Sequence, residues 1–247
     1  MTVERAAEIL AGSRTAVALT GAGISAESGI PTFRGQDGLW RKFDPVKVSS
    51  IDAFLEDPAT YWTAARDRGN IALAARPNPG HAALAAMEGA GRLVAVITQN
   101  TDGLHQAAGS KRVIELHGSG RTVECLHCGR REPRSEVQAR LHVEMPPLCR
   151  GCGGRLLKPT VVLFGEPMPV AATQEAFALA EQADVILVVG TSLVVYPAAD
   201  LPLAAVRSGA RMIVVNAEPT PFDRLAEVVI HGRSGEVLPE IVSLIGA

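Results

Sequence analysis

The chain carries almost no net charge: 24 Lys and Arg stand against 26 Asp and Glu, a formal −2 at pH 7. So even a balance gives no electrostatic case for general binding to nucleic acid or to an anionic membrane surface. No apolar run is long enough to cross a bilayer. The most apolar long stretch, Ala183 to Val206, is broken by Asp184, Gly190, Pro197, Asp200 and Pro202, and reads as a buried strand, a loop and a helix. Glu4, Arg5 and Glu8 stand where a secretory leader would be apolar, so a cytoplasmic location is expected. Internal repeats, low-complexity tracts and long linkers are also missing. Cysteine is scarce, at four residues in 247, and without an export signal a metal site is favoured over disulfides.

What is present is an α/β pattern. The strand candidates are Ala16–Thr20, Leu93–Thr98, Val113–Leu116, Val185–Val189, Met212–Asn216 and Val228–Ile230. Each is nearly continuous in apolar residues, as expected for parallel strands covered on both faces. Between them lie helical candidates at Val3–Ala11, His81–Glu88, Val170–Gln182, Leu201–Ser208 and Val237–Ile245. The alternation predicts a doubly wound parallel sheet. Two blocks interrupt it and read as inserts packed beside that sheet. One, Asp44 to Pro79, holds Tyr61 and Trp62; the other, Arg121 to Leu157, holds every cysteine.

The first strand candidate runs straight into GAGISAESGIPTFRG, Gly21 to Gly35. Within it Gly21, Gly23 and Ala26 match the Gly-x-Gly-x-x-Ala loop that brings bare backbone against a dinucleotide pyrophosphate, a weak signal taken alone. Polar clusters follow the other strands: Gln99-Asn100-Thr101-Asp102, His117-Gly118-Ser119, Gly190-Thr191-Ser192 and Asn216-Ala217-Glu218. In open α/β sheets the ligand lies beyond the carboxyl ends of the strands, so four such ends on one rim point to a site. His117 has the position and the near-neutral titration of a general base, although a hydrogen-bonded structural histidine is the plainer alternative. His81, His105, His142 and His231 lack that setting and read as structural. A dehydrogenase would carry a second strand ending in an acidic residue for the adenosine ribose. Here none follows the loop before Leu93, so hydride transfer is disfavoured and Asn216 or Glu218 become the expected ribose contacts.

Cys125-x-x-Cys128 and Cys149-x-x-Cys152, separated by twenty residues, have zinc-ribbon spacing. Four thiolates close a tetrahedral shell and leave no open position, so this metal would hold structure and perform no chemistry. His127 is an alternative ligand between the first pair. A segment this short cannot build its own core, and metal binding would supply its folding energy.

Taken in order, GAGISAESGIPTFRG, TQNTDGLHQAAG (98–109), ELHGS (115–119), the cysteine pairs, KPTVVLFGE (158–166), GTSLVVYPA (190–198) and NAEP (216–219) resemble the sirtuin family, the NAD-dependent protein lysine deacylases. The resemblance covers nearly the whole chain. It implies a Rossmann-like NAD-binding domain over residues 1–43, 80–120 and 158–247, a helical insert over 44–79 and a zinc module over 121–157. It implies acyl transfer from lysine to ADP-ribose with release of nicotinamide, acyl-lysine proteins or peptides as partners, and NAD and zinc as cofactors.

By the same resemblance His117, Asn100 and Asp102 are catalytic. The cofactor contacts it implies are Gly21, Ala22, Gly23, Ala26, Glu27, Ile30, Thr32, Phe33, Arg34, Trp40, Gln99, Asn100, Thr101, Asp102, Gly190, Thr191, Ser192, Asn216, Ala217, Glu218 and Ser234. Phe164-Gly165-Glu166 and Val194-Val195-Tyr196 match two segments that hold a substrate peptide between them as an added strand. Relatives that remove acidic acyl groups carry Tyr-x-x-Arg, where this chain has Ala65 and Arg68. Acetyl-lysine is therefore expected over succinyl-lysine. Longer or acidic acyl groups and protein ADP-ribosylation remain the alternatives.

Overall fold

The computed structural model describes residues 2–32 and 44–246. In chain order α1 (Thr2–Ala11) leads to β1 (Ala16–Thr20) and a 3-10 helix, Ala22–Ser28. Helices α2 (Pro45–Ser49), α3 (Ile51–Glu56), α4 (Pro58–Ala74) and α5 (Pro79–Gly89) precede β2 (Ala95–Thr98), α6 (Leu104–Ala108) and β3 (Val113–Glu115). Next come β4 (Gly118–Cys125), β5 (Arg131–Pro133), α7 (Arg134–Arg140) and β6 (Leu157–Val161). The order continues with α8 (Val170–Gln182), β7 (Val185–Val189), α9 (Leu201–Arg207), β8 (Arg211–Asn216), β9 (Val228–His231) and α10 (Ser234–Ile245).

Six of these strands form one sheet in the order β3-β2-β1-β7-β8-β9. All of its pairings are parallel. The strand order reverses between β1 and β7, which opens a crevice at the carboxyl ends of those strands. Every residue of β1, β2 and β7 is buried, so alternate side chains feed two separate cores. On one face Ala18, Val96, Leu187 and Ile213 pack under Leu10 of α1, Leu84 and Met87 of α5, and Leu238 and Ile241 of α10. On the other, Leu19, Ile97, Val188 and Val214 meet Ala176 and Ala180 of α8 and Leu201 and Ala205 of α9. At such a site Leu187→Ala would cost about 2–5 kcal/mol. The expected strands are all found, with shifts of one or two residues at four of their ends.

The short β-structure of the cysteine segment was not anticipated. Strands β5-β4-β6 make a second, antiparallel sheet. Its core is shared with the helical insert: Phe54, Tyr61 and Trp62 pack with Val123, Val137, Leu141, Leu157 and Leu163. Trp62 Nε1 donates to the Leu157 carbonyl at 2.9 Å, and the Arg134 guanidinium stacks 4.6 Å over the same indole. The two interrupting blocks thus solve one problem together. Neither is long enough for a core, and each completes the other's.

Candidate active site

The glycines of the first loop face another loop. Gly23 N–H donates to the Gly190 carbonyl at 2.8 Å, and a Cβ on Gly23 would stand 2.7–2.9 Å from Gly190 backbone atoms. Gly190 returns the constraint with φ +59° and an imagined Cβ 2.3 Å from Ile24 N. A Cβ on Gly21 would lie 2.7 Å from Thr191 Cβ. The small residues therefore let the β1 and β7 loops interlock at the switch point. The interlock is a second demand on Gly21 and Gly23, beside the close backbone approach to a pyrophosphate expected of such a loop. Next to the interlock, Leu193 holds a left-handed φ of 52°, an uncommon conformation for a branched residue and one that clusters at functional sites.

Beside the loops lies a bonded network centred on Ser25, a residue the sequence reading passed over. Its hydroxyl donates to Asp102 Oδ2 at 2.7 Å and accepts from Asn100 Nδ2 at 3.1 Å. Asn100 Nδ2 also donates to the Gly21 carbonyl at 3.0 Å, and Asp102 Oδ1 accepts the Leu104 N–H at 2.9 Å. The His81 ring closes the back of the network, its Nε2 3.4 Å from Ser25 Oγ. Asn78 places it by capping α5, accepting from Gly80 and His81 N–H, while its own N–H meets His81 Nδ1 at 3.3 Å. His81 Nδ1 is thereby an acceptor and Nε2 carries the proton toward Ser25. Burial pushes His81 down, with Asp102 and Glu27 opposing. Asn100 Oδ1 has no partner among the described residues, so the amide is held by its nitrogen with its oxygen free.

His117 is arranged in the opposite sense. Its Nδ1 lies 3.1 Å from the Gln99 carbonyl, which can only accept, so Nδ1 carries the proton and Nε2 keeps its lone pair. Burial lowers its pKa, partly opposed by that hydrogen bond. Gln99 is itself anchored through Nε2 to Thr191 Oγ1 at 3.0 Å, tying the ends of β2 and β7 across β1. His117, Gln99, Asn100, Gly21, Gly190 and Thr191 are thus linked directly, as the strand-end clusters suggested.

Other expected contacts sit further out. Asn216 Nδ2 is engaged by the Glu218 carbonyl at 2.6 Å, and Ala217 and Glu218 are exposed. Glu27 accepts from Gly235 N–H at 2.7 Å and lies 3.4 Å from Ser234 Oγ, so it caps the start of α10. Ala22, Ile30, Thr32, Thr101 and Ser192 are half-buried and Ala26 is exposed, all on the loops around the crevice. Phe33, Arg34 and Trp40 lie outside the described residues.

The two supposed peptide-holding segments differ in what they leave open. Phe164 is committed to 49–51, accepting from Ile51 N–H and donating to the Ser49 carbonyl, both at 2.9 Å. Glu166 is committed as well: Oε2 accepts Leu163 N–H at 2.8 Å and Lys158 Nζ at 2.9 Å. The backbone groups of Gly165 and Val194 have no partner among the described residues. Phe164, Val194 and Tyr196 expose apolar side chains beside them, at 40, 42 and 61%.

The four cysteines converge. All four Sγ atoms lie within 4.8 Å of one another, with Cys125–Cys152 and Cys128–Cys149 at 3.6 Å. A tetrahedron with Zn–S bonds of about 2.3 Å has S···S edges of about 3.8 Å, so the set fits zinc. Each pair sits on the same turn: Gly129 N–H bonds the Cys125 carbonyl and Gly153 N–H the Cys149 carbonyl, both glycines with φ above +70°. His127 is not in the cluster.

Sheet order, interlocked glycine loops, a histidine on the strand-end rim whose Nε2 has no partner among the described residues and a four-thiol module define a Rossmann-like α/β protein built to handle a dinucleotide. The Sir2 family profile matches residues 21–197. NAD-dependent protein deacylase 2 of Archaeoglobus fulgidus is 53% identical over 240 residues, covering 97% of this chain and 94% of its own. A Sir2 enzyme structure superposes with a TM-score of 0.93 at 52% identity, over 99% of this chain and 98% of that one. Another, of Sir2 with a p53 peptide and NAD+, gives 0.91 at 40% identity over 100% and 99%. The chain belongs to the Sir2 family.

Proposed function

We propose that the chain is an NAD-dependent protein lysine deacetylase that transfers the acyl group to ADP-ribose. The observation that carries this is the His117–Gln99 hydrogen bond, which leaves Nε2 unprotonated at the rim where Asn100 Oδ1 also has no partner among the described residues. Bound NAD supplies an electrophilic ribosyl carbon and a departing nicotinamide. His117 Nε2 takes a proton from a ribose hydroxyl as the acyl group is captured. Asn100, fixed by Gly21 and Ser25, orients the sugar and carboxamide, and Asp102 holds that loop through Ser25. By the resemblance Ala22 and Ile30 are assigned to the nicotinamide pocket, with Phe33 and Arg34, outside the described residues, assigned to that pocket and to the pyrophosphate, while Gly190, Thr191, Ser192, Asn216 and Ser234 are assigned to the remainder. Similarity to relatives named NAD-dependent deacylases supports the reading.

The acyl-lysine peptide adds as a strand between Gly165 and Val194, using their uncommitted backbone groups while Phe164 and Tyr196 flank it. That mode reads backbone more than sequence. Acetyl-lysine is preferred to succinyl-lysine because Ala65 stands where an acid-reading tyrosine would be, and Arg68 Nε is tied to its own helix at the Ala64 carbonyl, 3.1 Å away. The three-part division of the chain and a cytoplasmic location belong to the same proposal; no helix among the described residues is long and apolar enough to cross a membrane.

One mass-spectrometric experiment tests it: NAD with acetyl-, butyryl-, myristoyl- and succinyl-lysine peptides. Nicotinamide and O-acetyl-ADP-ribose should appear in equal amounts, faster from acetyl- than from succinyl-peptide. Free ADP-ribose alone, or ribosylated protein, would replace the reading with hydrolysis or ADP-ribosyl transfer. A succinyl rate at or above the acetyl rate would overturn the preference.

A further inference from the structure

Behind the rim, out of reach of any ligand in the crevice, three polar side chains are sealed in the core. Thr20, Thr98 and His105 are 0, 2 and 1% exposed. Thr20 and Thr98 are register partners across β1 and β2, one step beyond the wholly apolar pair Leu19 and Ile97. Burying hydroxyls and an imidazole is unfavourable unless they are bonded. Their bonds form a single line. Asn100 N–H donates to Thr98 Oγ1 at 3.0 Å, and Thr20 Oγ1 donates its one proton to Thr98 Oγ1 at 2.8 Å. Thr20 can then only accept from His105 Nε2, 2.9 Å away. His105 is thereby held as the Nε2–H tautomer, and its Nδ1 is buried without a partner among the described residues. Burial, with His81 nearby, pushes its pKa down to about 3, so the ring stays neutral in ordinary buffers.

The placement along the chain matters. Thr98 precedes the loop 99–103, and His105 stands just past its end in α6. Between them lie Gln99, which holds His117, and Asn100 and Asp102, which meet at Ser25. The line His105–Thr20–Thr98 therefore ties the two ends of that loop together from below, and its last bond fixes the peptide unit of Asn100.

We propose that His105, through Thr20 and Thr98, is a positioning residue for Asn100 and so for the sugar that Asn100 holds. The inference rests on the deacetylase reading for its kinetic consequence, and on geometry alone for its structural one. His105 touches no substrate. An apolar residue of similar bulk would fill the same core, so packing does not account for the choice of histidine.

The test compares Thr98→Val, His105→Leu and His105→Gln in the full, zinc-loaded chain. Thr98→Val is nearly isosteric and decides the matter even where His105→Leu does not fold. Two readouts are taken: steady-state kinetics on acetyl-peptide, and hydrogen exchange of the Asn100 amide by NMR in ligand-free protein. Thr98→Val and His105→Leu should lower kcat about ten- to hundredfold, as misplacement of a substrate-orienting group does. Peptide KM should stay within about twofold, and Asn100 exchange should speed up at least about tenfold. His105→Gln, whose amide can donate to Thr20, should recover most of both. Wild-type kcat in folded Thr98→Val, or His105→Gln no better than His105→Leu, overturns the proposal. If the unsubstituted chain makes no O-acetyl-ADP-ribose, it is the deacetylase reading that fails. Asn100 exchange then still decides the tie, and unchanged exchange in the variants overturns it.

Discussion

Strand β1 buries all five of its residues, whereas β4 buries only Val123 and Cys125 of its eight. The two sheets are stabilised by different means. The parallel sheet is covered on both faces by two apolar cores, so hydrophobic burial alone accounts for its order. The antiparallel sheet has one partial core, borrowed in large part from Phe54, Tyr61 and Trp62, and four thiols. The site lies on the seam. His117 occupies the link between β3 and β4, its ring bonded to Gln99 of the large-sheet rim and its carbonyl accepting Val162 N–H just after β6. The His117 ring, the proposed base, is aligned on such a link only when both sheets are in place.

The largest effect expected from that contrast is on folding. Removing zinc with a strong chelator should unfold the small sheet and leave the large one, since structural zinc contributes about 10–16 kcal/mol to modules of this kind. In the chelated protein, amide exchange should become fast over β4–β6 and α7, yet stay slow over β1, β7 and β8, and deacetylation should be lost. Uniform protection after verified metal loss would show that the shared core with Trp62 suffices without the metal. Cys125→Ser should act in the same direction.

Next comes His117, the base proposed on the seam. His117→Ala should lower kcat about 10²- to 10⁴-fold, the usual worth of a general base, while NAD still binds. Undiminished turnover would remove His117 from the chemistry. The acid limb gives the sign of its titration. A base must be neutral to act, and burial holds His117 below the ordinary value of 6.5. Activity should therefore persist below pH 6.5 and fall only on acidification through the lowered pKa. An acid limb centred above 6.5 would contradict the geometry.

The contrast also explains how far the sequence could be read. Strands covered on both faces write themselves as unbroken apolar runs, which is why Ala16–Thr20 and Val185–Val189 were delimited to the residue. β4 reads Gly-Ser-Gly-Arg-Thr-Val-Glu-Cys, mixed and half-exposed, so its strand character depends on partners far along the chain. At the site, Cys125 to Cys152, His117 and the strand-end clusters carried local signals. Ser25, His81 and His105 did not. A serine inside a glycine loop and two histidines beside helix starts look structural until the fold brings Asn78, Asp102 and Thr20 against them. Lys158 was seen only as part of a motif, since nothing local says where its ammonium goes.

That ammonium carries the smallest and most specific prediction. Lys158 lies on β6 opposite Glu124, one residue after the pairing of Leu157 with Cys125, so its position is set by the zinc-bearing strand. Buried to 7% exposure, it donates to the Pro159 carbonyl at 3.2 Å, the Val161 carbonyl at 2.8 Å and Glu166 Oε2 at 2.9 Å. Glu166 in turn holds the Leu163 N–H, which closes the turn presenting Gly165. The small sheet thus shapes the edge proposed for the peptide, while the large sheet shapes the rim proposed for the cofactor. Lys158→Met leaves Glu166 half-buried without its cation, and a lost charged hydrogen bond of about 1.5–3 kcal/mol should loosen the turn. Peptide KM should rise by roughly ten- to hundredfold, with kcat, NAD affinity and zinc content little changed. Lys158→Met with Glu166→Leu should recover part of the loss, because the stranded carboxylate is then gone. If NAD affinity falls instead of peptide affinity, the two sheets do not divide the substrates as their connections imply.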